Sequence, residues 1–408
     1  MSGAAVAITG LGAVSGYGAG TAALWRGLLS GRTAIGTVRR FDSAAYRTHV
    51  ASEVPDAACA APPRARLSLA DRFALSAAAE ALGQAGLPAR LDELRAGLFF
   101  GSSTGGMLES EEFYARLLAR AEAEGAPRPR LGGLVSQPPS GPGDAVARAH
   151  GVTGPVETVA SACASATLAL GAALEALRAG EVDLVLAGGS DSFCRLTFAG
   201  FNSLRAVDEL PCRPFRIERL GMTIGEGAAV LVLETRERAA ARGARPLAWL
   251  AGVGASCDAH HMTAPDPEGD GISRAVAAAL ADAGRGPGSI DFVDLHGTGT
   301  PANDAAEARM LRRVFGARAT ELPATSTKAC VGHFLGAAGA IEAVATVLGL
   351  EHGLVHPTPG EGTLDPELGV DLVVGSARQV AGARTALSTN LAFGGANAAC
   401  VLLHAEAG

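Results

Sequence analysis

Runs that are apolar on both faces, most of them bounded by glycine, recur along the chain: Ala5–Ile8, Ala96–Phe100, Val182–Ala187, Ala228–Leu233, Ile290–Leu295 and Ala398–Leu403. A strand of this kind must be covered on both sides. The intervening segments supply the cover. Leu69–Ala85, Ala164–Ala179, Ile272–Ala283, Ala305–Val314 and Gly336–Leu350 are alanine-rich and of helical length. The alternation predicts an α/β class with a largely buried sheet. Close layering needs small side chains, and the 408 residues include 54 glycines and only 4% aromatics. Two pairs of segments look alike, 225–234 with 394–404 and 182–192 with 290–300. They point either to two similar halves meeting near residue 250, divided as 1–250 and 251–408, or only to the likeness of all buried strands in α/β proteins.

Several function classes are disfavoured. The net charge is −7 with no long basic run, so nucleic acid is not an expected partner. Seven cysteines are scattered without a CxxC pair, which suggests neither a zinc ribbon nor a disulfide framework. The start lacks the charged region of a signal peptide. The most lipid-like stretch, Phe334–Leu350, is short and contains Glu342, so it reads as a buried helix. A soluble cytoplasmic protein in a reducing compartment is expected, without membrane contact. GLGAVSGYG at 10–18 has the wrong glycine spacing for a dinucleotide loop and reads as a tight strand-to-helix turn. PPSGPG at 138–143 and the proline-containing stretches at 62–63 and 126–129 read as connectors, and 107–135 as an insertion with one charged helix, Glu109–Glu124.

Four segments can carry chemistry. In TVASACASATLALG, Cys163 stands where a strand-like run gives way to an Ala-rich helix. A thiol there feels the positive end of the helix dipole, which favours thiolate. A buried structural cysteine is the ordinary alternative. In DLHGTGTPANDAAE, His296 ends a strand, the place where α/β sheets put their sites. Thr298 and Thr300 follow with hydroxyls suited to a polar ligand chain, then Asp304 and Glu307 open a helix. TSTKACVGHFLG places Lys328 and His333 on a loop before the buried helix. In NLAFGGANAA, Phe393 precedes two glycines in a turn whose backbone N–H can serve an oxyanion.

A cysteine with two histidines also suits a zinc site, for which His260–His261 or the HxxxH pair His352 and His356 would compete. Lys328 beside His333 would repel a cation, and Gly353 with Pro357 disfavours a helix presenting the HxxxH rings. A papain-like hydrolase needs only one histidine and leaves the second and the lysine without a task.

Taken together, AITGLGAVSGYG, SGRTAIGTVRRFD, SACASA, PCRPF, GEGAAVLVLE, HGTGTPANDAAE, STKACVGHFLGAAGAIE and NLAFGGAN resemble, in this order, the elongating β-ketoacyl-acyl carrier protein synthases of the thiolase superfamily. The resemblance spans essentially the whole chain. It implies a thiolase fold of five αβαβα layers in two similar halves, with the nucleophile and dimer contacts in the first and both histidines in the second. It implies an acyl carrier protein as partner, and a homodimer or a heterodimer with a chain-length factor. Cys163, His296 and His333 take the catalytic positions, Lys328 the lysine, Glu307 its acidic partner and Phe393 the gating aromatic. Thr298 and Thr300 would bind pantetheine amides; Thr104 and Phe201 would touch the acyl chain. No metal or redox cofactor is implied, since the substrates carry their own phosphopantetheine.

In the implied reaction Cys163 accepts an acyl group, and the two neutral imidazoles stabilise the enolate left when a malonyl thioester loses carbon dioxide. Lys328 would keep His333 uncharged by like-charge repulsion. Two features depart from the family pattern. Thr104 stands in GSSTGGM where a bulky aliphatic residue often limits the acyl tunnel. Only Arg64 and Arg66, helped by Arg205, are available to greet the carrier protein. A non-catalytic chain-length subunit would commonly lack the nucleophile, and a degradative thiolase would carry a second cysteine where Phe393 stands. The segment 189–215 also resembles synthases of specialised polyene pathways.

Overall fold

The computed structural model describes residues 3–58, 67–122 and 131–408. Its main strands, numbered along the chain, are β1 (Val6–Ser15), β2 (Ala96–Gly101), β3 (Val156–Val159), β4 (Leu184–Asp191), β5 (Gly227–Glu234), β6 (Ala248–Cys257), β7 (Phe292–Asp294), β8 (Ala324–Thr325), β9 (Thr385–Leu391) and β10 (Ala396–His404). Side by side they run β3-β2-β4-β5-β1-β6-β10-β9-β7-β8. The first strand of each half pairs antiparallel with the last, the last antiparallel with the fourth, and the remaining two pairings are parallel. The two half-sheets therefore share one topology. They join where β1 meets β6 through Val6–Leu250, Ala7–Trp249 and Ile8–Ala248.

The helices that matter to the site are α1 (Leu69–Gln84), α2 (Met107–Glu122), α3 (Gly141–His150), α4 (Ser165–Arg178), α5 (Arg195–Ser203), α6 (Asp270–Asp282), α7 (Pro301–Phe315) and α8 (Ala338–His352). α4 and α8 pack together and against both half-sheets. α1 with α3 covers the outside of the first half and α6 with α7 the outside of the second, giving five αβαβα layers. Position dictates composition. α8, in the middle layer, is buried from Ala338 to Leu350 and apolar all round, whereas α2 has only Ser110 fully buried and is rich in charge. Among the described residues no helix is long and apolar enough to cross a membrane.

Several sequence expectations need correction. β1 runs straight through Gly10 and Gly12, which are not a turn; a Cβ there would lie 2.1 Å from the carbonyl of Ala81 and 1.9 Å from that of Ala77. The glycines let α1 lie directly on the strand. The look-alike segments 225–234 and 394–404 hold β5 and β10, which do occupy the same place in the two halves. The other pair does not: the counterpart of β7 is β2, and that of β4 is β9. Both mismatched segments are buried strands ending in small residues, and that chemistry does not encode position. PPSGPG is only partly a connector, because α3 already begins at Gly141 with Pro142 in its first turn, where a missing N–H costs nothing. The residues at 62–63 and 126–129, and the end of the expected charged helix beyond Glu122, lie outside the described residues.

The two middle helices begin alike. A short 3-10 turn, Ala162–Ala164, leads into α4, and another, Leu335–Ala337, leads into α8; the two turns pack on each other. Each opens on a non-glycine residue with positive φ, Ala162 at 44° and Leu335 at 54°. Such a conformation costs about 1–3 kcal/mol and persists only where packing imposes it.

Candidate active site

Cys163 sits in the first of these bends, buried, where two cavities meet. The outer cavity is lined by His296, His333, Thr298, Thr300, Asn303 and Arg205 among others. The inner one is lined by Ser103, Thr104, Thr197 and Leu335. Cys163, Phe201 and Phe393 border both. The cysteine, both histidines, both threonines, Phe201, Phe393 and Thr104 thus converge as expected from sequence.

The sulfur and one ring nitrogen of each imidazole lie within 4.8 Å of one another, and the rings meet edge to face at 5.2 Å. Hydrogen bonds fix both tautomers. His296 Nδ1 faces two groups that can only donate, Lys328 Nζ at 2.9 Å and Asn390 Nδ2 at 3.2 Å. His333 Nδ1 accepts the backbone N–H of Leu335 at 3.1 Å. Each ring therefore keeps its proton on Nε2. His333 Nε2 is buried and has no hydrogen-bond partner among the described residues. Burial holds both imidazoles well below the ordinary histidine range, with the Lys328 charge acting in the same direction. They are neutral donors.

That arrangement suits an oxyanion and opposes a metal ion. A metal bound at Nε2 would force each ring's proton onto Nδ1, against donors already pointing there. Lys328 adds like charge beside the ion. His352 and His356 do not form a metal pair either: one stacks on Trp25, while the other is buried among Thr325 and Thr327. His260 and His261 are exposed on a loop.

The thiol corrects an expectation. Burial pushes Cys163 up to about 11, although the Lys328 charge and the Phe393 backbone N–H pull it down. A short 3-10 turn separates the sulfur from the start of the long helix, and desolvation is the largest influence on the thiol, favouring its neutral form.

The acidic groups also divide differently. The carboxylate paired with Lys328 is Glu342 on α8, not Glu307; both members of that pair are nearly inaccessible. Glu342 also accepts from Asn390 Nδ2 at 2.6 Å. Glu307 instead holds the loop that carries His296, accepting backbone N–H groups of His296 at 2.8 Å and Gly297 at 2.7 Å, with Thr389 and Asn303 completing its shell. Asp304 similarly accepts from Phe215 and Gly299. Glu342 and Asn390 are the site residues that sequence reasoning missed.

Phe393 lies in the tight turn between β9 and β10, its ring 5.8 Å from that of Phe201. Gly394 and Gly395 follow at φ 86° and 81°, values that leave no place for ordinary side chains. Thr104 spends its hydroxyl on Asp191 Oδ1 at 2.8 Å and the carbonyl of Ser192 at 3.0 Å, so its polarity is satisfied away from the cavity. Thr298 and Thr300 hydroxyls are 3.0 Å apart on the outer wall. Arg205 is exposed at the mouth, whereas Arg64 and Arg66 lie outside the described residues.

Residues 4–239 match the family model described as the N-terminal domain of β-ketoacyl synthase, and residues 247–360 match the C-terminal domain. The chain is 38% identical over 398 residues to Nodulation protein E of Rhizobium meliloti (strain 1021), spanning 96% of this chain and 97% of that one. It is 35% identical over 414 residues to 3-oxoacyl-[acyl-carrier-protein] synthase 2 of Staphylococcus aureus (strain COL), spanning 98% and 99%. Among solved structures, a chain of the ishigamide ketosynthase/chain length factor superposes with a TM-score of 0.91 at 35% identity, covering 99% of this chain and 100% of that one.

Proposed function

Since the chain belongs to the β-ketoacyl synthase family, we propose that it is a condensing acyltransferase, a 3-oxoacyl-acyl carrier protein synthase working through Cys163. The observation that carries this reading is the pair of neutral imidazoles whose Nε2–H groups are fixed toward the cavity holding the sulfur.

The Cys163 thiol exchanges its proton for an acyl group from a carrier-bound thioester. Sulfur attacks the acyl carbonyl, the carrier thiolate leaves, and the proton goes with it. The backbone N–H groups of Cys163 and Phe393 hold the oxyanion. The acyl chain then occupies the inner cavity, past Thr104 and Phe201. A malonyl thioester enters along the outer cavity, its pantetheine amides against Thr298 and Thr300. Its carboxylate departs as carbon dioxide, and the bonding pair forms an enolate whose oxygen accepts from His296 and His333. The enolate carbon attacks the acyl carbonyl and expels Cys163 as thiolate, which regains a proton. This balance needs no metal or redox cofactor. Lys328, Glu342, Asn390 and Glu307 position the imidazoles without touching substrate.

The carrier protein would meet the chain at the mouth marked by Arg205. Strand β3 ends the sheet with an edge whose Val156 is exposed, an arrangement that suits a second copy or a related subunit. Similarity to the ishigamide ketosynthase/chain length factor supports a specialised pathway with a chain-length factor, and similarity to 3-oxoacyl-[acyl-carrier-protein] synthase 2 supports fatty acid synthesis. A purely non-catalytic role is opposed by the intact cysteine and histidines. A cytoplasmic location suits the six free thiols among the described residues.

The test is acylation. Incubation with acyl-carrier thioesters should add the acyl mass to Cys163, and Cys163→Ala should abolish both the label and condensation. Labelling of that variant at another residue would overturn the assignment.

A further inference from the structure

Asp191, at the end of β4, is completely buried. Among the described residues no cation pairs with it. Its carboxylate is instead ringed by donors from two separate parts of the site. Oδ1 accepts from Ser102 Oγ, Thr104 N and Thr104 Oγ1, each at 2.8 Å, on the inner-cavity wall. Oδ2 accepts from Gly336 N at 2.7 Å and Ser103 N at 2.9 Å. Gly336 follows Leu335, whose own N–H fixes the His333 tautomer and whose side chain lines the inner cavity.

We infer that Asp191 is a positioning residue for His333, tying the histidine-bearing bend to the wall that receives the acyl chain. The inference rests on the condensation reading above. Among the described residues the bend that carries the nucleophile makes no direct hydrogen bond to Asp191. Ala162 O accepts from Ser165 Oγ at 2.6 Å, and Ser161 N donates to the same hydroxyl at 2.8 Å. The bend at Cys163 is thus held mainly by local bonds, with one longer tie from Ser103 Oγ to Ala162 O at 3.3 Å, whereas the bend at Leu335 bonds Asp191 directly across the site.

Asp191→Asn separates the two ties. Oδ1 serves the larger set of donors, and Ser103 N also reaches it at 3.0 Å, so the amide oxygen stays there. The amide nitrogen then occupies the Oδ2 position and faces the Gly336 N–H, donor against donor. Gly336 and Leu335 shift, and the Leu335 N–H leaves the imidazole.

The experiment measures both half-reactions and the ¹⁵N signals of histidine-labelled protein. Wild type supplies the control: if it neither acylates nor decarboxylates, the condensation reading fails and the Asp191 inference is not what has been tested. With wild type active, Asp191→Asn should lose malonyl decarboxylation by roughly tenfold or more, approaching the about 10²–10³ that complete loss of an oxyanion donor costs. Cys163 acylation should change by less than about threefold, and the His333 signals should move away from a pure Nε2–H tautomer. Parallel loss of both half-reactions, or unchanged decarboxylation, overturns the inference, as do unaltered His333 signals. If that variant does not fold, Gly336→Ala provides the same test. Its Cβ would sit 2.6 Å from Ser102 C and Ser103 N, prising the bend off the wall, and the same selective loss is expected.

Discussion

Replacing Lys328 by methionine keeps the length of the side chain and removes one charge and the closest donor on His296 Nδ1. In the native site Lys328 Nζ stands between that nitrogen, at 2.9 Å, and the Glu342 carboxylate, with Asn390 as the second donor at 3.2 Å. Without the ammonium, His296 can turn its proton to Nδ1 and present a lone pair at Nε2 where the enolate oxygen must be bound. Loss of one such donor costs about 10²–10³ in rate, or about 2.7–4 kcal/mol. Condensation should fall by that amount. Burial is the largest cause of the depressed imidazoles and persists in the variant, but the Lys328 charge acts in the same direction, so its removal raises both part of the way towards the ordinary 6.5. The sign follows: at a given pH below that value more imidazolium is present than in wild type. Imidazolium can protonate the enolate carbon, so a growing share of residual decarboxylation should end as acetyl thioester as the pH falls. Stability should drop as well, since removing one partner of a buried pair costs about 3–5 kcal/mol. Assay by carbon dioxide release, with acetyl and 3-oxoacyl carrier species separated by mass, reads both effects. Condensation within tenfold of wild type, or a pH-independent product ratio, would refute the reasoning.

Two further outcomes follow from the same geometry. Alkylation of Cys163 in the free protein should keep accelerating with pH up to about 11, because burial raises the thiol and only the thiolate reacts; a rate that levels off near neutrality would show the helix dipole prevailing. Glu307→Ala should leave the Gly297 N–H unpaired and the His296 N–H with only its longer bond to Thr389 Oγ1 at 3.2 Å, lowering stability by about 1–3 kcal/mol in a denaturant titration; a loss below about 0.5 kcal/mol would mean the loop is held elsewhere.

What the sequence discloses here follows from what local pattern can encode. Cys163, His296, His333 and Phe393 are legible because each stands at a strand end or helix start beside small residues, and the motifs follow one another in a recognised order. Glu342 is legible only as a charge in an apolar helix. Nothing in spacing shows that it meets Lys328, since the contact depends on how α8 lies across the site. Asn390 is hidden inside a buried strand, and β9, TALSTNL, contains polar residues that disguise a fully buried strand. β6 is veiled by its run of glycine and alanine. The Cys163 thiol was misjudged for a similar reason: a helix start is visible in sequence, but the degree of water exclusion around it is set by distant chain.

The paired bends beneath the middle helices have a lasting consequence. The same kink appears twice, and in principle either copy offers a place for an attacking atom. Only the first has room. At the second, Gly336 is pressed so closely to the Ser102–Ser103 backbone that even a methyl group has to push that wall away. The symmetry of the scaffold is thus broken by crowding, and the second copy is left to steer its neighbour's imidazole and never to compete with the sulfur.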